Sequence, residues 1–170
     1  MAMTLLLGGA RSGKSGRALR LAHDWDGQVV FVATGEGRDP EMAARIARHR
    51  LERPSTWRTV EAPLELVRAF HSIPEHAFVI LDCLTLWVAN ALEAGWSDED
   101  VERAGAAVAT IASAREQPTV VVSNEVGLGL VPQTPLGRSY RDLLGRVNAL
   151  FAAEADQAYL MVAGRLLQLT

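Results

Sequence analysis

The residues best suited to chemistry lie near the N-terminus, in an octapeptide that contains the only lysine of the chain. The octapeptide consists of Gly8, Gly9, Ala10, Arg11, Ser12, Gly13, Lys14 and Ser15. It fits the phosphate-binding pattern G-x-x-x-x-G-K-[ST] at every fixed position. Glycines in such a loop let backbone N–H groups close around phosphate oxygens, and the helix that follows adds a favourable dipole. The pattern therefore predicts the binding of a nucleoside triphosphate.

Two side chains of this loop have separate predicted roles. We expect Lys14 to neutralise the β- and γ-phosphates, and we expect the Ser15 hydroxyl to ligate Mg²⁺. An apolar run at residues 5–7 precedes the loop and a helix-like stretch at residues 17–23 follows it, which is the strand–loop–helix context that the motif requires. A glycine-rich turn could match by accident, but this would happen in roughly one chain in a hundred of this length.

A second candidate is Asp82, which ends the apolar run at residues 78–81. In proteins with a phosphate loop, such an aspartate holds Mg²⁺ directly or through water. Many buried strands end in aspartate only because the chain turns there. The complete phosphate loop elsewhere in the chain favours the magnesium-binding role. The following residue, Cys83, is expected to be a small core residue.

A third candidate is His49, on a helix predicted over residues 39–53 and opened by an Asp-Pro-Glu start signal. His49 follows Ile46 by three residues and Met42 by seven, so it shares their apolar stripe. The same helix is rich in cations suited to polyanions, namely Arg45, Arg48, Arg50 and Arg53. From the residues alone, His49 could pack in the core or act as an unprotonated nucleophile towards phosphorus.

The elements that must position these residues alternate along the chain. Strand-like runs lie at residues 4–7, 28–33, 57–61, 77–82 and 118–123. Helical spacing of apolar residues appears at 17–23, 39–53, 84–92, 97–111 and 136–151, and a hairpin is predicted within residues 158–169. This order predicts an α/β fold of the P-loop NTPase-like, doubly wound kind. It would have a mostly parallel sheet, helices on both faces and an antiparallel C-terminal edge hairpin.

In an open parallel sheet, ligands bind at the carboxyl ends of the strands. Ala33, Thr34 and Gly35 end the second predicted strand and could line a nucleotide site, although a strand-ending turn explains them equally simply. Residues 124–127, with the sequence Asn-Glu-Val-Gly, follow the fifth strand and lead into a loop rich in glycine and proline. That loop could be a binding wall, a lid or only a connector.

Composition limits the alternatives. The chain has 170 residues, of which 49% are hydrophobic and 22% charged, with a net charge of −3. The length suits one domain over residues 1–170, and the charge disfavours a nucleic-acid-dependent ATPase. A single cysteine rules out an internal disulfide, and we find no apolar run long enough to span a membrane and no signal peptide. We therefore expect a cytoplasmic protein.

Several of these motifs occur in the order found in one known family. They are the loop at 8–15, Ala-Thr at 33–34, Glu-Met-Ala-Ala-Arg-Ile at 41–46 with His49, Trp-Arg-Thr at 57–59, Leu-Asp-Cys-Leu-Thr at 81–85 and Ser-Asn-Glu-Val-Gly at 123–127. The chain resembles the bifunctional adenosylcobinamide kinase / adenosylcobinamide-phosphate guanylyltransferase of cobalamin biosynthesis. The resemblance extends from about residue 5 to the final hairpin.

The resemblance implies two reactions. ATP or GTP first phosphorylates the aminopropanol hydroxyl of adenosylcobinamide. A histidine then attacks the α-phosphate of GTP, expels pyrophosphate and holds GMP covalently. The phosphate of adenosylcobinamide phosphate finally takes the GMP, which gives adenosylcobinamide-GDP. The resemblance also implies a homotrimer.

The resemblance assigns a role to each candidate residue. His49 would be the guanylylated nucleophile. Some family members carry two adjacent histidines on this helix, whereas in this chain the first of the two positions is Arg48. Residues 8–15 would hold phosphates, and Asp82 would contact the nucleotide or its metal. The nucleotide site would be lined by Ala33, Thr34 and Gly35, and the guanine nucleotide would also contact Arg50, Leu51, Glu52, Arg53 and Glu61.

Other classes of protein remain open at this point. A plain small-molecule kinase would use the phosphate loop while His49 served only for packing. A regulatory GTPase or a non-catalytic nucleotide-binding module would also carry the loop. Against a GTPase switch, the chain lacks an Asn-Lys-x-Asp guanine signature, and its single lysine already belongs to the phosphate loop.

Overall fold

The computed structural model describes residues 3–169, and within that range the chain forms a single seven-stranded sheet. Its strands are β1 (Met3–Gly8), β2 (Val29–Ala33), β3 (Arg58–Glu61), β4 (Phe78–Asp82), β5 (Thr119–Val122), β6 (Gln157–Val162) and β7 (Arg165–Gln168). The spatial order is β3-β2-β4-β5-β1-β6-β7. All neighbouring pairs are parallel except β6 and β7, which form an antiparallel hairpin at the sheet edge. The predicted fold class is confirmed.

Helices cover both faces of the sheet. They are α1 (Lys14–His23), α2 (Pro40–Leu51), α3 (Leu66–His71), α4 (Leu84–Glu93), α5 (Asp98–Ser113) and α6 (Pro135–Glu154). The larger apolar layer joins one face of the sheet to α3, α4, α5 and α6, with Trp87 and Phe151 fully buried. The smaller layer joins the other face to α1. The near-continuous apolar strands follow from this, because a parallel strand is covered on both sides.

Local start signals explain where two helices begin. The Asp39 carboxylate accepts a hydrogen bond of 2.8 Å from the Met42 N–H, and Pro40 occupies the first helical position of α2. The Ser97 hydroxyl oxygen accepts a bond of 3.1 Å from the Asp100 N–H at the start of α5. Each side chain satisfies a backbone donor that the first turn leaves unpaired, so both predicted caps are confirmed.

Two details differ from the sequence-based prediction. The first helix begins at Lys14 rather than at residue 17, because the phosphate loop leads directly into it. The helix α3, which is only six residues long, was not predicted from the sequence. A stretch of that length gives less than two turns of apolar periodicity, too little to separate a helix from a loop. Among the described residues, no helix has both the length and the apolar character needed to cross a membrane.

The junction of β1 with the phosphate loop gives a prediction about stability. Gly8 has φ of +148°, and a Cβ atom built there would lie 2.4 Å from the backbone oxygen of Met161 on β6. We expect Gly8→Ala to lower the free energy of unfolding by about 3 kcal/mol, through backbone strain and overpacking. Urea denaturation followed by circular dichroism measures this change.

Gly9→Ala is the matched control for that experiment. A Cβ atom at Gly9 would meet no heavy atom within 4 Å, and the backbone there avoids positive φ. We expect this variant to change the free energy of unfolding by less than about 0.5 kcal/mol. Equal stability of the two variants would contradict the packing role of Gly8.

Candidate active site

The phosphate loop follows β1, and its last two residues, Lys14 and Ser15, begin α1. Gly13 precedes the helix in a left-handed conformation, with φ of +101°, and Arg11 also has a positive φ of 56°. These conformations turn the chain sharply between the strand and the helix, and Gly13 adopts its conformation without steric cost. The predicted strand–loop–helix context is therefore present.

Lys14 is buried against this loop, with its side chain directed back over β1. Its Nζ donates hydrogen bonds to the backbone oxygens of Gly8 (2.9 Å) and Gly9 (2.7 Å) and to the Ser12 hydroxyl (3.3 Å). Burial lowers the pKa of Lys14, the nearby Cys83 and Asp82 oppose that shift, and the positive charge of Arg45 adds to it. The ammonium group is therefore held by the loop backbone at the floor of the site.

Asp82 lies at the carboxyl end of β4, beside β2 and β5. Burial raises the pKa of its carboxyl group, while a hydrogen bond from the Ser15 side chain and the charges of His49, Lys14 and Arg45 lower it. Three positive or protonatable groups thus surround one carboxylate. The two residues predicted to hold magnesium, Ser15 and Asp82, contact each other.

A cavity of about 770 Å³ joins the loop, α2 and the carboxyl edge of the sheet. The loop contributes residues 10–15 to its lining, and Asp82 and Ala33 contribute from the strand ends. From α2 and its C-terminal end come Met42, Arg45, Ile46, His49, Glu52 and Arg53. Candidate residues from distant parts of the sequence therefore share one cavity.

The position of α2 explains why His49 is accessible. No residue of α2 is buried, and the apolar stripe of Met42, Ile46 and His49 is half-buried along the cavity wall. This stripe faces the cavity instead of filling a core. The helical spacing of His49 is also that of a histidine packed in a core. Here the same spacing places its imidazole at the cavity, where a ligand can reach it.

Arg53 fixes the C-terminal end of α2 to the sheet. Its guanidinium lies 4.0 Å from the centroid of the Phe31 ring, and its Nε donates to the backbone oxygen of His49 at 3.1 Å. Burial and the nearby charge of Arg50 lower the pKa of Arg53, whereas Asp82 and Glu61 oppose the shift. A cation over an aromatic face and a bond to the helix end hold His49 close to β2.

A second cavity of about 450 Å³ lies on the other side of α2. It shares Gly35 and Ile46 with the first cavity, and Arg50 and Glu61 line it and form an ion pair with each other. The helix therefore separates two spaces, one with the phosphate loop and one with a carboxylate and a guanidinium.

Some candidate residues lie outside both cavity linings. Thr34 is fully buried, and its hydroxyl donates to the backbone oxygen of Cys83 and accepts from the Cys83 N–H, both at 2.8 Å. Thr34 thus ties the end of β2 to the end of β4. Gly8 and Gly9 lie beneath Lys14, while Leu51 is 87% exposed.

The lining of the larger cavity includes residues beyond the predicted site residues. Cys83, expected to be a small core residue, is half-buried against the smaller apolar layer and also lines the larger cavity, and burial raises its pKa to about 11. The cavity is also lined by Phe31 and Leu86, which had no assigned role, and by Asn124, from the segment 124–127 that the sequence places at the carboxyl edge of the sheet. Its position just beyond a strand end is the signal that predicts Asn124 at this edge. Phe31, inside a strand, gave no such signal.

A phosphate loop at the end of the first strand, with an aspartate on a nearby parallel strand, defines a P-loop nucleotide-binding protein. A solved structure, the KaiC-like protein PH0186 from Pyrococcus horikoshii OT3, supports this fold with a TM-score of 0.54. At 13% identity, covering 94% of this chain and 70% of that one, the similarity concerns the fold alone.

Sequence comparison identifies the family. Residues 4–169 match the family model for cobinamide kinase / cobinamide phosphate guanyltransferase. The chain is 41% identical to the bifunctional adenosylcobalamin biosynthesis protein CobU of Escherichia coli K12, over 95% of this chain and 96% of the relative. It is 42% identical to the bifunctional adenosylcobalamin biosynthesis protein CobP of Pseudomonas aeruginosa PAO1, over 94% of this chain and 92% of the relative. The chain belongs to this family of bifunctional kinases and guanylyltransferases, as the sequence motifs predicted.

The geometry around Lys14 gives a prediction about nucleotide binding. A planar guanidinium cannot occupy the position where one ammonium reaches Gly8, Gly9 and Ser12. We expect Lys14→Arg to weaken ATP binding by at least about tenfold and to reduce kinase turnover further. Titration calorimetry and a coupled kinase assay measure the two effects.

Arg103→Lys on the exposed surface of α5 is the control for that substitution. It changes the same pair of residue types at a distance from the loop, so we expect wild-type binding and turnover. Wild-type kinetics in Lys14→Arg would contradict the assignment of the phosphate loop.

Proposed function

We propose that this chain carries out both family reactions at the two cavities around α2. It phosphorylates adenosylcobinamide with ATP or GTP and then transfers GMP from GTP to adenosylcobinamide phosphate. The observation that carries the proposal is the position of His49, half-buried on α2 in the same cavity as Lys14 and Asp82. A nucleophile and a phosphate-binding loop in one cavity allow both transfers to use the same triphosphate site.

In the kinase step, the loop binds the triphosphate and Lys14 neutralises its β- and γ-phosphates. The alcohol oxygen of adenosylcobinamide attacks the γ-phosphorus, the bond to the β–γ bridging oxygen breaks, and the hydroxyl proton is released. Such a reaction needs positioning and charge neutralisation more than covalent help from the protein. The cluster of Lys14, Arg45 and Arg53 around the cavity supplies that positive charge.

Mg²⁺ would be held by the Ser15 hydroxyl and the Asp82 carboxylate. The described residues contain no group of three acidic, histidine or cysteine side chains that could enclose a metal ion. Magnesium bound with a nucleotide usually takes only one or two protein oxygens and completes its shell with phosphates and water, so Ser15 beside Asp82 fits it. When bound, the ion would neutralise charge on the phosphate oxygens.

In the guanylyl step, a ring nitrogen of His49 attacks the α-phosphorus of GTP and pyrophosphate departs. A phosphate oxygen of adenosylcobinamide phosphate then attacks the same phosphorus, the P–N bond breaks, and His49 is regenerated. Direct reaction of the two anions would suffer charge repulsion, which a neutral imidazole nucleophile reduces in the first step.

We propose that the guanine nucleotide contacts Arg50, Leu51, Glu52, Arg53 and Glu61, with Ala33, Thr34 and Gly35 at the adjacent strand end. Support comes from Arg50 and Glu61 in the smaller cavity and from Glu52 and Arg53 in the larger one. The Glu61 carboxylate could accept hydrogen bonds from guanine N–H groups once its pairing with Arg50 is exchanged. Thr34 would act through its bonds to Cys83.

The family resemblance also carries proposals about assembly and compartment. We propose that the chain forms a homotrimer and works in the cytoplasm, where its nucleotide substrates are available. Sedimentation equilibrium of the purified protein tests the oligomeric state, and cell fractionation tests the location.

The covalent intermediate gives the sharpest prediction for the proposed function. We expect wild-type protein incubated with GTP and Mg²⁺ to gain the mass of one GMP per chain, on His49, as an acid-labile adduct. His49→Ala should lose the adduct and all formation of adenosylcobinamide-GDP, while kinase turnover stays within about threefold of wild type. Intact-protein and peptide mass spectrometry measure the adduct.

His76→Ala, at an exposed loop histidine, is the matched control and should retain the adduct. Because His49 shares a stripe with Met42 and Ile46, thermal melting of each variant checks folding. A folded His49→Ala protein that still acquires GMP would contradict the assignment of His49. A wild-type protein with kinase turnover and no adduct would favour the plain kinase.

A further inference from the structure

The sheet register places Asn124 beside the phosphate loop. Val122, at the end of β5, pairs with Leu6 on β1 and with Asp82 on β4. The parallel pairing continues past β5, because the Ser123 N–H donates to the Leu6 oxygen at 3.0 Å and the Glu125 N–H donates to the Gly8 oxygen at 3.1 Å. Asn124 is therefore level with the first residue of the loop.

The side chain of Asn124 lies on the same sheet face as the phosphate site. Side chains alternate along a strand, so Asn124 shares the face of Val122, two residues earlier. Val122 and Asp82 are paired, and both line the larger cavity together with Asn124. Because β5 lies between β4 and β1, Asn124 stands between the end of the Asp82 strand and the start of the loop.

Two buried side chains fix the backbone of Asn124. Its N–H donates to the Thr85 hydroxyl oxygen on α4 at 2.8 Å, and its carbonyl oxygen accepts from the Asn148 amide on α6 at 3.1 Å. Tyr140 on α6 donates to the Thr85 backbone oxygen at 3.2 Å. Two helices therefore hold this one peptide in place.

The Asn124 side-chain amide itself is uncommitted. It is half-buried at the cavity wall and makes no hydrogen bond to any residue in the described range 3–169. An amide offers two N–H donors and one acceptor oxygen without adding charge. A fixed backbone that presents an unpaired donor to a phosphate cavity has the geometry of a ligand contact.

We propose that the Asn124 amide donates a hydrogen bond to the γ-phosphate of the bound triphosphate. The loop donors and the α1 N-terminus surround the inner phosphates, whereas Asn124 stands on the strand next to β1, beyond the loop. This inference rests on the proposed kinase reaction and names the group that positions its transferred phosphoryl. The amide keeps its protons while the P–O bond to the alcohol forms and the bond to the bridging oxygen breaks.

The two half-reactions depend on this contact differently. In the kinase step, the γ-phosphorus is the reacting atom, so a lost donor changes its alignment. In the guanylyl step, the reacting atom is the α-phosphorus and the γ-phosphate departs within pyrophosphate. A structural role for Asn124 would affect both reactions together, whereas a γ-phosphate contact affects the kinase step selectively.

Binding measurements test the contact without any turnover. Titration calorimetry in one magnesium buffer compares ADP with the β,γ-imido analogue of ATP on wild type, Asn124→Ala and Asn124→Asp. We expect Asn124→Ala to weaken binding of the imido analogue about tenfold and that of ADP less than about twofold. Asn124→Asp keeps the side-chain shape and should weaken the analogue further, because a carboxylate would face the phosphate.

Glu125→Gln is the matched control. Glu125 lies on the same segment but outside the cavity lining, and the substitution keeps the side-chain oxygen that accepts from the Gly127 N–H. We expect wild-type affinity for both nucleotides. Equal weakening of ADP and the analogue in both Asn124 variants, or no change in either, would overturn the proposal. The Asp variant carries the test if the Ala variant does not fold.

Kinetics give the second measurement. We expect kinase kcat to fall at least about tenfold in Asn124→Ala, while the maximal rate of GMP-adduct formation, at saturating GTP, changes less than about threefold. A parallel fall in both rates would overturn the proposal. Absence of kinase turnover in the wild type would instead refute the proposed function, and the binding comparison would still decide the Asn124 contact.

Discussion

The parallel sheet imposes the constraint on which the site depends. Six of the described strands run parallel, and the four central ones, β2, β4, β5 and β1, carry apolar side chains on both faces, so helices must cover both faces. Polar chemistry is thereby confined to the edge where the strands end. Asp82, Ala33 and the loop after β1 meet at that edge because their strands are held in register.

The helix α2 stands apart from this constraint. It buries none of its residues, yet it carries His49 and separates the two cavities. Its N-terminus is capped by Asp39, and its contacts with the sheet include that of Arg53 with Phe31 and the pair of Arg50 with Glu61. Exposed polar contacts contribute little stability each, so α2 is held less firmly than the helices that pack in the core. Its side chains are instead available to ligands in the two cavities.

The electrostatics of the site follow from the same arrangement. Burial disfavours the charged forms of Lys14 and Asp82, which lowers the pKa of the lysine and raises that of the aspartate. Each of the two groups stabilises the charge of the other, and the positive charge of Arg45 lowers the pKa of both. The result is a cavity in which cationic side chains surround the Asp82 carboxylate, a combination suited to a triphosphate with its magnesium ion.

Local signals in the sequence determined most of the fold and part of the site. Apolar runs, two helix caps and the phosphate pattern are read within a few residues, and they predicted the parallel sheet, the loop and the family. The six-residue α3 gave too little periodicity to be recognised. Only the tertiary structure decided that the His49 stripe faces a cavity, that Thr34 ties two strands together, and that Cys83 and Asn124 line the site. These outcomes depend on the register between strands far apart in the sequence, and no local pattern of residues records that register.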